Sequence, residues 1–318
     1  MVTMAAGVPG PDFFSASRIR MFSGRGRFFK QIAALAVLFA TSIPSVKAQS
    51  SDASQDEVRA PLPDPRSLVV DAAANELIAL HHRDSYLRYR METVNERGIQ
   101  VRDVIESKDG TVARLILKDG KPLTAEQDRA ERQRLNDIIA SPSAYAKHVK
   151  NSESEKKMAD QLVPLMPDAM INTYTPGQPQ SGRNGGAREF VLDYKPNPKW
   201  VPPTTEAQAL TGLEGRVWID AKTHYVVRME GTVARSVNFG WGMLAHIYPG
   251  GKLEMNQTNA GGSRWIFTDF SMRLSVRALM VKKLDIRSSA KASNFQTIGA
   301  ISYQDAIHQL LATPLPNH

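Results

Sequence analysis

The strongest constraint on the fold is a strand–turn–strand pattern between Gly215 and Glu230. Apolar segments flank a turn at residues 220–223, and in the second segment Tyr225 and Val227 alternate with mainly polar residues. A period of two is typical of a strand in an antiparallel sheet that buries one face and exposes the other. We therefore predict a hairpin that belongs to a sheet with one covered face.

The rest of the chain combines helical and strand patterns. A helical spacing of apolar residues is followed by three strand-like segments, and Asp-Gly pairs among them favour tight hairpins. A capping-box pattern at Thr124 and Gln127 opens a helical insertion over residues 121–171. Two long apolar strands follow, over residues 264–276 and 278–287. These patterns predict an α+β chain dominated by antiparallel strands.

The first of the long strands is apolar on both sides near its start. Alternation places Trp265 and Phe267 on one face and Phe270 on the other. Two apolar faces are expected where one of them meets a covering helix or an internal cavity.

Residues 1–48 predict an export signal. The apolar run Ile32 to Ile43 follows basic residues. It is shorter than the roughly 20 residues of a membrane span and fits the about 7–15 residues of a secretory core. A cleavage site after Ala48 would leave a polar leader over residues 49–66, and Met21 is an alternative start. We predict a protein exported to the bacterial periplasm, with no transmembrane span in the mature chain.

Removing that segment changes the charge balance. The full sequence has 40 Lys and Arg against 32 Asp and Glu; residues 1–48 hold six and one of these, so 34 and 31 remain. This small and mixed charge argues against nucleic acid as a partner. The sequence has no cysteine, which excludes disulfides, thiol catalysis, thiolate-bound zinc and a lipidated cysteine anchor.

The sequence carries no familiar catalytic motif. It has no Walker loop, no serine nucleophile elbow and no His-Glu-x-x-His helix. His81 and His82 are poor joint metal ligands, because adjacent helical residues point about 100° apart. His224 with Asp220 and Glu230 is interpreted as the polar face of the hairpin. We predict no catalytic residue, no metal and no cofactor.

Residues 212–231 read Gly-Leu-Glu-Gly-Arg-Val-Trp-Ile-Asp-Ala-Lys-Thr-His-Tyr-Val-Val-Arg-Met-Glu-Gly. This segment is similar to the strand–turn–strand of outer-membrane lipoprotein-sorting carriers, in which a Trp-x-Asp turn precedes an apolar-Arg strand. Residues 239–298 also resemble uncharacterised exported proteins grouped beside that superfamily. No local motif identifies the family's cavity arginine here, and the lipobox cysteine is absent.

The resemblance covers residues 67–298 and implies a fold and an activity. The implied fold is an incomplete antiparallel β-barrel, a strongly curved sheet with helices covering or plugging its open face. One domain would span residues 67–300, followed by a C-terminal helix or tail over 301–318. The implied activity is non-catalytic transport of acyl chains, so the expected partner is a lipid or an acylated protein.

The predicted binding site is an apolar cavity with an aromatic mouth. Residues 237–248 are dense in aromatic and bulky apolar side chains, which suits an apolar ligand or, alternatively, a connecting helix packed into the core. The residues expected to line the cavity or its mouth are Trp218, Tyr225, Val227, Phe239, Trp241, Met243, Trp265, Phe267 and Phe270.

Two other functions stay open on the sequence. The chain would serve as a cell-envelope interaction or scaffold module if its interior holds no cargo, and its partners would then be envelope proteins. It would be an exported hydrolase if distant segments assemble a nucleophile and a base.

Overall fold

The computed structural model describes residues 61–316, except residues 83, 241–243, 262–263 and 279–281. The predicted signal peptide and most of the predicted leader lie outside the described residues. Contacts group the chain into two compact units, each built from separate segments. The first unit contains the described residues between Arg83 and Ala159 and from Asn294 onward. The second unit contains the described residues up to His82 and from Asp160 to Ser293.

The described residues form fourteen strands and five α-helices, with short 3-10 turns at Val163–Leu165, Arg183–Gly185 and Glu206–Gly212. In chain order the helices and strands are α1 (Pro65–His81), β1 (Tyr86–Asn95), β2 (Gly98–Ser107), β3 (Gly110–Lys118), β4 (Lys121–Pro122), α2 (Ala125–Ala140), α3 (Pro142–Leu162), α4 (Met166–Ala169), β5 (Met170–Tyr174), β6 (Gln180–Ser181), β7 (Arg188–Pro196), β8 (Leu213–Asp220), β9 (Val226–Val233), β10 (Val237–Phe239), β11 (Ala245–Ile247), β12 (Lys252–Asn259), β13 (Trp265–Ala278), β14 (Lys282–Ile298) and α5 (Tyr303–Ala312).

The first unit is an antiparallel sheet in the order β4–β3–β2–β1, with α2 and α5 packed on β2 and β3. The predicted capping box begins α2: the Thr124 hydroxyl accepts from the N–H of Gln127 at 3.2 Å, and the Gln127 side chain accepts from the N–H of Thr124 at 3.0 Å. The core between these helices and strands contains Ile105, Val112, Leu135, Ile138, Ala306, Ile307 and Leu310. The predicted C-terminal helix is therefore α5, and it completes this core.

The second unit is an antiparallel sheet in the order β14–β13–β12–β9–β8–β7–β5. The predicted hairpin is formed by β8 and β9. β6 pairs with β7, and a small hairpin of β10 and β11 joins β13 through β11. Because β14 and β5 stand at opposite ends of this order, the sheet of this unit is open. The predicted α+β class, with antiparallel strands that do not close into a barrel, is confirmed.

A β-bulge in β13 corrects the predicted distribution of its aromatic residues. The register of β12 against β13 shifts between Asn256 and Gln257, which leaves one extra residue in β13. Trp265 and Phe267 therefore share a face with Phe270. The prediction that they lie on opposite faces is wrong, because counting by twos takes no account of an inserted residue.

For residues 237–248 the sequence left two interpretations open, and the structure contradicts one of them. The alternative of a connecting helix is wrong, since its described residues form β10 and β11. Among the described helices, none is both long and apolar enough to cross a membrane.

Candidate functional site

One face of the second unit's sheet, which we call the inner face, carries an unbroken apolar row. The strand register places one residue from each of six neighbouring strands, β7, β8, β9, β12, β13 and β14, directly opposite the next. All six side chains are buried: Leu192, Val217, Met229, Met255, Phe270 and Ala290. Methionines in such a row adapt to neighbours of varied shape, because their side chains are unbranched and polarisable.

Helix α1 packs against the inner face near the ends of β9 and β13. Ala79 of α1 forms a cluster with Tyr225 and Trp265, and Val227 packs against it. The rings of Tyr225 and Trp265 are stacked, with centroids 5.2 Å apart and planes inclined by 11°. The structure thus brings together three of the residues predicted to bind a ligand, and it adds the helix that covers them.

A carboxylate lies between α1 and the inner face. Glu76 is buried, and its two oxygens accept hydrogen bonds from the N–H of Val226 at 3.2 Å and from the amide of Gln257 at 2.8 Å. Burial raises the pKa of the Glu76 carboxyl to about 7, and the two hydrogen bonds lower it by less. The same carboxylate, together with burial as the larger cause, raises the pKa of Tyr225.

Four further polar contacts fasten α1 within the second unit. The amide of Asn75 donates to the carbonyl oxygen of Thr223 at 2.9 Å. The other three contacts are side-chain pairs: Asp71 with Nδ1 of His224 at 3.0 Å, His81 Nε2 with Asp160 at 2.6 Å, and Arg66 with Asp168 at 2.5 Å. These side-chain pairs are partly exposed, whereas Glu76 is buried. Most of the polar contacts that hold α1 in place are therefore accessible to water.

The other predicted site residues are dispersed. Phe267 and Phe270 are buried on the inner face, and Phe239 is buried in β10 opposite Ala245. Trp241 and Met243 lie outside the described residues. Trp218 lies on the opposite face of the sheet, because it neighbours Val217 of the inner-face row in β8.

Glu76 is the residue of this site that the sequence analysis missed. A usable signal was present, since the buried positions of α1 are Leu68, Ala72, Glu76 and Ala79, spaced by three or four residues. An acidic residue within such a stripe indicates a buried carboxylate. Its partner Gln257, however, lies 181 positions away and has no local signature.

The face opposite the inner face, which we call the outer face, carries an open groove of about 560 Å³. It crosses β7, β8, β9 and β12. The side chains that line it on this face are mostly charged, with one tryptophan: Asp193, Lys195, Glu214, Arg216, Trp218, Glu230, Thr232, Lys252 and Glu254.

Comparison with models of known protein families and with curated proteins finds no match. Among solved structures, the chain is similar to a crystal structure described as an outer membrane lipoprotein-sorting protein domain from Vibrio parahaemolyticus. The TM-score is 0.31 and the identity 12%, over 76% of this chain and 97% of that chain. At 12% identity no site residue can be transferred from it, so the site rests on the contacts described above.

Proposed function

We propose that this protein is an exported, non-catalytic binding protein that holds the apolar chain of a lipid or of an acylated protein. The chain would lie between α1 and the inner face of the second unit's sheet. The observation that carries this proposal is the unbroken apolar row across six strands with one helix packed over its edge and a buried carboxylate beneath that helix.

The energetics favour α1 as the part that moves. Burying the Glu76 carboxylate with two uncharged hydrogen-bond donors is costly. A pKa raised from 4.5 to about 7 corresponds to about 3 kcal/mol when the group is ionised. α1 also carries an apolar residue that the protein does not cover, since Ile78 is 58% exposed. If α1 turned over a bound acyl chain, Ile78 would gain an apolar contact.

The inner face supplies the affinity in this proposal. Each Å² of apolar surface removed from water contributes about 25 cal/mol, less the cost of moving α1 and ordering the ligand. Phe267, Phe270 and Met255, which are buried on this face, would contact the methylene groups of the ligand. The predicted signal at residues 1–48 supports the periplasm as the compartment in which this exchange occurs.

The test locks α1 to the sheet. The chain has no cysteine, so Asn75→Cys with Thr223→Cys introduces the only thiols, at positions joined by a side-chain-to-backbone hydrogen bond of 2.9 Å. The full chain would be expressed, purified from the periplasmic fraction and titrated with a fluorescent fatty acid. We expect the reduced variant to bind like the wild type and the oxidised variant to lose binding.

The reduced form of the same variant is the matched control, and mass spectrometry under non-reducing conditions verifies the disulfide. Equal binding by the oxidised and reduced forms would exclude α1 as the moving part. A wild-type protein that takes up no fatty acid and carries no lipid on purification would favour the envelope scaffold function instead.

A further inference from the structure

The groove on the outer face has a regular construction. The strand register aligns Asp193, Arg216, Glu230 and Glu254 in one row across β7, β8, β9 and β12. A second row, Glu214, Thr232 and Lys252, lies beside it on the same face. The volume of about 560 Å³ falls within the about 300–1,000 Å³ of small-molecule sites.

Ion pairs hold the groove's side chains in place. Two nitrogens of Arg216 donate to the two carboxylate oxygens of Asp193 at 2.6 and 3.1 Å. Arg228 pairs with Glu230, and its guanidinium lies 4.9 Å from the centre of the Trp218 ring. Both pairs are partly open to water, so they orient these side chains and leave them accessible to a ligand.

The groove contains as many positive as negative side chains once the adjacent Arg228 is included. The acids are Asp193, Glu214, Glu230 and Glu254, and the bases are Lys195, Arg216, Arg228 and Lys252. With four of each sign, the field in the groove does not favour an ion of either charge. The ligand that fits best is uncharged and rich in hydrogen-bonding groups.

The groove's backbone is not available for an added peptide strand. β8 is paired with β7 and β9, and β9 is paired with β8 and β12. Strand addition requires a free sheet edge, so recognition here depends on side chains. Those side chains are charged donors and acceptors around one half-buried tryptophan.

We propose that this groove is a binding site for an uncharged oligosaccharide. Sugar hydroxyls both donate and accept, which matches a floor that holds guanidinium, ammonium and carboxylate groups together. The C–H groups on a sugar ring suit the part of the Trp218 indole that the Arg228 guanidinium does not cover. This site lies on the face opposite the lipid site of the proposed function and does not depend on it.

An oligosaccharide array that includes bacterial cell-wall and capsule fragments tests the proposal. The best-bound uncharged oligosaccharide would then be titrated into the wild type and three variants. We expect Trp218→Ala and Arg216→Ala to weaken binding about tenfold or more. Arg287→Ala is the matched control, because Arg287 is an exposed residue of β14 outside the groove.

Two further measurements make the result decisive. Glu254→Gln keeps the shape of the side chain, so a loss of sugar binding in this variant cannot be attributed to misfolding. Fatty-acid binding should be unchanged in Arg216→Ala, which separates this site from the inner face. The proposal is overturned if the folded wild type retains no uncharged oligosaccharide, or if Trp218→Ala and Arg216→Ala bind it as tightly as the wild type does.

Discussion

Each unit fastens one helix with a buried charged residue, but the two residues differ in how their charge is balanced. In the first unit Arg114 is 1% exposed and donates to the carbonyl oxygens of Leu310 and Thr313 and to the carboxylate of Asp128, each at 2.7 Å. In the second unit Glu76 has two uncharged donors. The guanidinium thus has a carboxylate and two helix-end carbonyls as partners, whereas the Glu76 carboxylate accepts its hydrogen bonds from a backbone N–H and a side-chain amide, which are both uncharged.

This difference predicts different responses to pH. Guanidinium groups in general keep their charge throughout the physiological range. The raised pKa of Glu76 means that α1 docks best when the carboxyl is protonated. Below about pH 4.5 this contribution is complete, and it is lost as pH rises through about 7. The first unit should therefore be the less pH-sensitive of the two.

The largest expected effect is the loss of unfolding free energy when the buried Arg114 is replaced. Arg114→Ala leaves Asp128 and the last carbonyls of α5 without their buried donor, which should lower the free energy of unfolding by about 3–5 kcal/mol. Urea unfolding measures this loss. Arg132→Ala is the control, because Arg132 also contacts Asp128 but its side chain is 43% exposed, and it should cost at most about 1 kcal/mol. Equal losses would show that burial of Arg114 contributes nothing.

The second prediction concerns how the ionisation of the buried Glu76 changes the unfolding free energy. Glu76→Gln removes the ionisation, so the variant should match the wild type near pH 4.5 and exceed its unfolding free energy by up to about 3 kcal/mol above pH 7. Urea unfolding followed by tryptophan fluorescence between about pH 4 and 8 measures the difference. If the two proteins show parallel pH profiles, Glu76 does not carry the pH dependence of α1.

The smallest effect concerns the exposed pairs around Glu76. Asp71→Asn removes the carboxylate that faces His224 at 3.0 Å. The Asp71 side chain is 52% exposed, so water screens this pair, and the variant should lower the free energy of unfolding in urea by at most about 1 kcal/mol. A loss as large as that of Arg114→Ala would contradict the description of this contact as a weak, water-exposed pair.

Sequence patterns predicted the features that depend on neighbouring residues. The β8–β9 hairpin and the Thr124 capping box involve positions only a few residues apart, and both are confirmed. β14 extends past its predicted end at residue 287 to Ile298, because the buried residues of its second half include Ser288, Ala290 and Ala292, whose small side chains give a weak apolar pattern.

The site was harder to predict because it depends on distant contacts. Alternation in β8 separates Trp218 from Val217, but which of the two faces is covered depends on α1, about 140 residues earlier in the chain. Likewise, nothing near Glu76 indicates Gln257. The outer-face groove arises from the register of four strands, which no single strand encodes.

The long stretch of chain between β3 and α5 has a consequence for the order of folding. Ile307 and Leu310 complete a core begun by Ile105 and Val112, and Arg114 finds its carbonyl partners only beyond residue 309. The first unit therefore cannot close before the chain has been synthesised past residue 313. Until then β2 and β3 lack the helix that covers them, and their apolar side chains stay open to contact with other unfinished chains.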